Sequence, residues 1–189
     1  MSAIGGKADN TLTGRCKGHG GELAKRVEHA MPSALITGAN RGLGLEFARQ
    51  YAADGWQVYA ACRDPSSASE LRRLAEASGH KLRILVLDVT DPASVKAVAT
   101  ELDGQAIDLL LNNAGVGGAR GQTVGNIDNK AWAKVLDVNT LGPMRVSEAF
   151  VGNVARSERK LIITLTSGMG RLPTILLEAR SPIAAPKPR

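Results

Sequence analysis

The chain has 189 residues, of which 43% are hydrophobic and 22% charged, enough for one domain with its own core and unlike a charge-dominated disordered protein. No apolar run reaches the roughly 18–20 residues of a membrane span, and two cysteines without a CxxC spacing indicate a reducing, cytoplasmic location. The net charge is +6, but residues 31–170 carry fifteen Lys/Arg against fourteen Asp/Glu, so the basic excess lies at the two ends and we expect no nucleic-acid binding.

Residues 1–30 differ in composition from the rest of the chain. They hold six glycines, no aromatic residue and no periodicity of a strand or helix, and they lack the apolar stretch of a signal peptide. We expect a disordered extension, which is either a genuine flexible leader or upstream sequence read through before a natural start at Met31.

Strand and helix patterns alternate over residues 31–170. Short, continuous apolar runs predict strands at Ser33–Thr37, Gln57–Ala61, Leu82–Leu87, Ile107–Leu111 and Leu161–Leu165. Apolar spacing and capping residues predict helices at Leu43–Ala53, Ser66–Ala77, Pro92–Leu102 and Lys130–Val151. We expect a kink in the last helix near Gly142-Pro143. This alternation is typical of a Rossmann-type α/β fold, a doubly wound parallel sheet that binds ligands beyond the carboxyl ends of its strands.

A glycine-rich segment joins the first predicted strand to the first helix. Thr37-Gly38-Ala39-Asn40-Arg41-Gly42-Leu43-Gly44 has the form TGxxxGxG rather than GxGxxG. Glycines allow a tight turn and the close approach of a phosphate, which the free N–H groups of a helix N-terminus attract. The alternative is a plain glycine-rich turn, but the position between a strand and a helix favours a phosphate-binding loop.

Further motifs follow the later strands in a fixed order. Asp88-Val89 follows the third strand, Asn112-Asn113-Ala114-Gly115 the fourth and Ser167 the fifth, with Asn139 in the long helix between them. Together with the glycine loop, these motifs resemble the short-chain dehydrogenase/reductase family, and within it the C-factor and carbonyl-reductase branch. The resemblance covers about residues 31–170 and implies a dinucleotide-binding domain over that range.

The resemblance also implies a role for each motif. The three loop glycines would cradle the pyrophosphate, Asp88 would contact the adenine ring, and residues 113–115 would line the adenosine ribose and hold the end of the fourth strand. Ser167 would orient the substrate carbonyl, and Asn139 would complete the remaining catalytic set. Taken alone, Asp88 is more typical of a turn or capping residue and Asn139 of a satisfied helix residue, and only the other motifs favour the functional roles. The implied cofactor-binding residues are Gly38, Asn40, Arg41, Gly42, Leu43, Gly44, Arg63, Asp88, Val89, Asn113, Ala114 and Gly115.

The end of the second strand favours NADP over NAD. NAD-binding proteins place an acidic residue there for the ribose 2′-hydroxyl, whereas an arginine accommodates the 2′-phosphate of NADP. The strand runs into Cys62-Arg63-Asp64, and Arg41 lies in the glycine loop, so two guanidinium groups can hold a 2′-phosphate. Asp64 leaves an alternative open, because it can pair with Arg63 instead.

The family's reaction requires a tyrosine and, four residues later, a lysine, and no such pair follows Ser167. The only tyrosines are Tyr51 and Tyr59. Positioned acid–base catalysis contributes roughly 10²–10⁴ in rate, so we expect NADP-dependent hydride transfer to or from a small carbonyl or alcohol substrate to be impaired in this chain. The alternatives are a catalytically silent dinucleotide-binding module and a non-functional fragment.

Residues 171–189 interrupt the pattern with four prolines and no aromatic residue. Read from the third base of the Arg171 codon, permitted codons yield a sequence that contains YxxxK, so one hypothesis makes this segment a frameshift product. We then expect a sheet that is incomplete on its C-terminal side, with its fifth strand open and the family's homo-oligomer interface missing. The histidines lack zinc-ligand spacing, and no metal site is predicted.

Overall fold

Short apolar strands, most of them buried on both faces, form one parallel sheet in the computed structural model, which describes residues 31–118, 121–123 and 125–166. The strands are β1 Ser33–Thr37, β2 Gln57–Cys62, β3 Leu82–Val86, β4 Leu109–Asn112 and β5 Leu161–Thr164. Their spatial order is β3-β2-β1-β4-β5, and each neighbouring pair is parallel. The predicted doubly wound α/β fold is confirmed, and the strand order reverses between β1 and β4, where such sheets form a crevice.

Five α-helices cover the sheet within the described residues. They are α1 Gly42–Ala53, α2 Ser69–Ala77, α3 Pro92–Glu101, α4 Asn129–Leu136 and α5 Gly142–Ala155. α3 begins where the sequence predicts, because the Asp91 carboxylate accepts a hydrogen bond from the N–H of Ala93 at 2.9 Å. α2 begins later than predicted, because residues 64–67 form a separate turn in which the Asp64 carboxylate accepts from the N–H of Ser66.

The long helix predicted over Lys130–Val151 is interrupted by a π-helical turn at Asp137–Leu141, between α4 and α5. The turn immediately precedes Gly142, so the interruption lies beside the predicted kink. Gly142 is buried, and a Cβ built there would lie 2.8 Å from Cγ2 of Val89. The helix therefore passes close to the loop after β3, and such single π turns are frequent at functional sites.

Apolar cores fill both faces of the sheet. On one face, α3 and α5 contribute Val95, Val146 and Phe150, and on the other, α1 and α2 contribute Ala48 and Leu71. Because helices cover both faces, the carboxyl ends of the parallel strands are left at one edge, and the loops that follow them converge there.

β5 borders the described sheet and pairs with β4. Its residues Leu161, Ile162 and Ile163 are 44%, 41% and 42% exposed, respectively. Exposed edge strands are usually protected by charged residues, and this strand has none. The open flank predicted at the fifth strand is therefore present among the described residues. In the same part of the chain, none of the helices combines the length and apolar character needed to span a membrane.

Candidate functional site

A cleft of about 630 Å³ opens beyond the carboxyl ends of β1 to β4, within the size range of small-molecule and cofactor sites. The structure brings eleven of the twelve predicted cofactor-binding residues to its walls, and Gly44 is the exception. Those eleven are Gly38, Asn40, Arg41, Gly42, Leu43, Arg63, Asp88, Val89, Asn113, Ala114 and Gly115. Residues from four separate loops thus share one surface.

Two glycines shape the loop between β1 and α1. Gly38 has a φ of +66°, and a Cβ there would lie 2.8 Å from the Cα of Ala114, so only glycine allows the ends of β1 and β4 to approach so closely. Gly42 has a φ of +57° with open space around it. It turns the chain into α1 and leaves the first backbone amides of the helix beside the cleft.

Gly44 lies beneath this loop instead of on the cleft surface. It is buried in α1, and a Cβ there would overlap the carbonyl oxygen of Gly38 and the Nδ2 atom of Asn113. The family resemblance implies that Gly44 helps to cradle the pyrophosphate, and this role stays a prediction. In the structure the glycine lets α1 pack against the loop.

Thr37 and Asn113 join the ends of β1 and β4. The Thr37 hydroxyl accepts hydrogen bonds from the N–H groups of Asn113 and Ala114, each at 3.0 Å. In return, Nδ2 of Asn113 donates to the carbonyl oxygens of Thr37 and Gly38 at 2.8 and 3.1 Å. Asn113 therefore holds the end of β4, as the family resemblance implies, by fixing the glycine loop beside it.

Replacing Thr37 with valine tests this joint. Thr37 is 1% exposed, and valine keeps its shape while leaving two partly buried N–H groups without an acceptor, which we expect to lower the free energy of unfolding by about 1–3 kcal/mol. Urea denaturation measures the change. Thr37→Ser keeps the hydroxyl and is the matched control, so an equal loss in both variants would contradict the role of the hydrogen bonds.

Asn139 also binds the loop after β4. Its Oδ1 accepts from the N–H of Val116 and its Nδ2 donates to the carbonyl oxygen of Val116, both at 2.9 Å. This pair of bonds ties the π-helical turn to a wall of the cleft. Within the described residues the Asn139 side chain therefore has a positioning contact, and its predicted catalytic role stays a prediction.

Arg145 is a positioning residue that the sequence analysis missed. Its Nη2 donates to Oδ1 of Asp137 at 2.6 Å and its Nη1 to the carbonyl oxygen of Val89 at 3.2 Å. Val89 lines the cleft, so Arg145 holds that wall against α5. Asp137 and Arg145 are eight positions apart, which is not a helical pairing distance, and no local signal links either residue to position 89.

The carboxylate of Asp88 makes a turn contact and faces the cleft. Its Oδ1 accepts from the N–H and hydroxyl of Thr90 at 2.9 and 2.7 Å, as the capping alternative proposed. Partial burial raises the pKa of Asp88, but the bonds from Thr90, with the nearby charges of Arg63 and Lys134, outweigh it and hold the pKa below its ordinary value. The group is therefore ionised at neutral pH, and among the described residues no hydrogen bond is made to its Oδ2.

Arg41 and Arg63 lie on the cleft wall, both exposed. Neither takes part in the ion pairs found in the described part of the chain. The Arg63–Asp64 pair that the sequence left open is not formed, because Oδ1 of Asp64 accepts from the N–H and hydroxyl of Ser66 at 2.9 and 2.5 Å. Two guanidinium groups that form no ion pair within the described residues therefore line the cleft, although the charge of Arg63 also acts on the ionised Asp88.

The other predicted catalytic residue, Ser167, is outside the described residues. Tyr59 is 8% exposed within a core on β2, and the ring of Tyr51 packs against Trp56 with 4.7 Å between centroids. Neither tyrosine lines the cleft. The described ranges also contain no cluster of three or more His, Cys, Asp or Glu side chains that could hold a metal ion.

Comparisons with known proteins place this cleft in context. The family model for short chain dehydrogenases matches residues 32–179. (+)-Neomenthol dehydrogenase of Arabidopsis thaliana is 34% identical over 167 residues, which cover 77% of this chain and 56% of that protein. Retinol dehydrogenase 5 of Mus musculus is 36% identical, with 73% of this chain and 43% of that protein covered. The chain spans about half the length of these curated relatives.

Solved structures show the same similarity. NADPH-bound carbonyl reductase from chicken fatty liver is 37% identical with a TM-score of 0.70, and the match covers 79% of this chain and 62% of that one. A carbonyl reductase from Pseudomonas aeruginosa PAO1 in complex with NADP is 30% identical with a TM-score of 0.69, covering 77% and 66%, respectively.

Proposed function

Because the chain belongs to the short chain dehydrogenase family, we propose that its cleft binds NADP and that its chemistry is hydride transfer between this cofactor and a small carbonyl or alcohol compound. The observation that carries the proposal is the pair of arginines, Arg41 and Arg63, which share the cleft wall and take part in none of the described ion pairs. Arginine is well suited to a 2′-phosphate because it offers several donors to one anion. The similar carbonyl reductases solved with NADPH and NADP support the same cofactor.

The glycine loop also fits a dinucleotide. The N-cap residue of α1, Arg41, makes no side-chain capping bond, and the first turn of the helix has no acidic residue. The first N–H groups of α1 are therefore free of a competing carboxylate and attract the pyrophosphate. Asp88 offers an acceptor to the adenine amino group, and bound NADPH supplies the hydride.

The protein's own contribution to turnover is reduced, because neither of its tyrosines lines the cleft. Among the described residues, no tyrosine is then placed to donate a proton to the substrate oxygen in the manner of the family, although the sequence retains Ser167 and Asn139. We therefore propose a turnover roughly 10²–10⁴-fold below that of a relative with the complete motif. The same observation favours a second candidate, a dinucleotide-binding module without catalysis.

Cofactor binding and turnover separate these possibilities. NADPH and NADH are titrated into the 189-residue chain by calorimetry, and turnover of a simple aldehyde and a ketone is then followed at saturating NADPH. We expect NADPH to bind at least about tenfold more tightly than NADH, since a charge-assisted contact contributes about this much, and turnover to be slow. Binding without any turnover would favour the module, and binding of neither dinucleotide would refute the proposal.

A further inference from the structure

The carboxylate of Asp64 is negatively charged, and its charge disfavours a phosphate bound in the same cleft. It directly follows Arg63 in the chain, and both residues line the cleft. An exposed carboxylate at this position can neutralise Arg63 by pairing with it, or repel a 2′-phosphate directly. Hydrogen bonds from Ser66 and Ser67 hold the pKa of Asp64 below its ordinary value, so protonation does not remove the charge at neutral pH.

A short turn keeps this carboxylate occupied. Oδ1 of Asp64 accepts from both the N–H and the hydroxyl of Ser66, at 2.9 and 2.5 Å, and the Ser67 hydroxyl donates to the Asp64 carbonyl oxygen at 3.1 Å. Pro65 presets the backbone of this turn, since aspartate followed by proline is a common turn start. The second donor to Oδ1 comes from the side chain of residue 66, so it depends on a hydroxyl at that position.

We propose that Ser66 is a specificity-determining positioning residue, which holds the carboxylate of Asp64 in the turn and so leaves Arg63 available to the 2′-phosphate. The inference rests on the proposed function, because it presupposes that the cleft binds NADP. Ser66 does not contact the phosphate itself and acts through Asp64. Its loss removes one of the two donors to Oδ1, which lets the carboxylate compete for the neighbouring guanidinium, and this affects NADPH and spares NADH, which has no 2′-phosphate.

A double-mutant cycle tests the proposal in the full chain. NADPH and NADH are titrated into the wild type, Ser66→Ala, Asp64→Asn and the Asp64→Asn/Ser66→Ala double variant. We expect Ser66→Ala to weaken NADPH binding about 3- to 10-fold, a modest effect because the groups are exposed, and to change NADH binding less than about twofold. In the Asp64→Asn background, Ser66→Ala should have no effect on the NADPH to NADH ratio, because no carboxylate remains to be released.

Ser66→Thr keeps the hydroxyl and should retain the wild-type preference, which distinguishes the hydrogen bond from simple packing. Equal weakening of both dinucleotides by Ser66→Ala, or the same loss of NADPH preference in the Asp64→Asn background, would overturn the inference. If the wild type prefers NADPH and Ser66→Ala does not alter that preference, only this inference fails. If the wild type binds neither dinucleotide, the proposed function fails and the inference fails with it.

Discussion

Gly44→Ala is expected to lower the free energy of unfolding by about 3 kcal/mol and to weaken NADPH binding as the glycine loop moves. The added methyl group would overlap the carbonyl oxygen of Gly38 and Nδ2 of Asn113. The first atom belongs to the backbone, and the second is fixed by two hydrogen bonds to the carbonyl oxygens of Thr37 and Gly38. Neither atom can therefore move away from the methyl group without a backbone shift or a broken hydrogen bond. Overpacking costs 1–3 kcal/mol and each lost hydrogen bond about 1 kcal/mol more. Urea denaturation gives the stability, and calorimetric titration of NADPH gives the binding.

The chain offers a matched control in Gly152→Ala. Gly152 is also a helical glycine, in α5, but it is exposed and has no atom within 4 Å of an added Cβ. Alanine favours the helix there and should raise stability by up to about 1 kcal/mol. The two substitutions are chemically identical, so equal effects would show that packing at Gly44 is not as close as the structure indicates.

Replacing both Arg41 and Arg63 with glutamine is expected to weaken NADPH binding about 10²-fold while changing NADH binding less than about threefold, counting roughly tenfold for each lost charge-assisted contact. The 2′-phosphate is present in NADPH and absent from NADH, so loss of the two guanidinium groups lowers the affinity for NADPH alone. Salt should weaken NADPH binding to the wild type more than to the double variant, because both arginines are exposed. Competition between the two dinucleotides, measured by fluorescence, gives the ratio directly.

Arg83→Gln is the control for a general effect of charge. Arg83 pairs with Glu101 and does not line the cleft, so its loss should leave the preference for NADPH unchanged. A parallel fall in NADPH and NADH affinity in the Arg41→Gln/Arg63→Gln variant would contradict a 2′-phosphate role. It would instead point to a contact with the pyrophosphate that both cofactors share.

The element bounds show how far local patterns extend. β1 coincides with the predicted Ser33–Thr37, but β4 begins at Leu109 rather than Ile107. The reason is tertiary, because the amide of Ile107 donates to the carbonyl oxygen of Asn153 in α5 instead of to a neighbouring strand. The apolar side chain of Ile107 indicates that the residue is buried. Burial does not distinguish a strand from a segment that packs under a helix.

The candidate site also combines features that are local in the sequence with contacts that only the fold creates. Apolar runs, turn residues and the glycine loop are local features of the chain, so the fold class could be recognised without coordinates. Most of the eleven cleft residues are predicted only because the ordered motifs resemble a known family. The contacts that set the shape of the cleft join distant positions, such as the bond from the Ala114 amide to the Thr37 hydroxyl, 77 positions away. The same holds for the contact of Arg145 with Val89 and for the packing of Gly44. For the adjacent Arg63 and Asp64, the sequence left open whether the two side chains pair with each other. In the folded chain they form no ion pair with each other, and the Asp64 carboxylate accepts from the N–H and hydroxyl of Ser66.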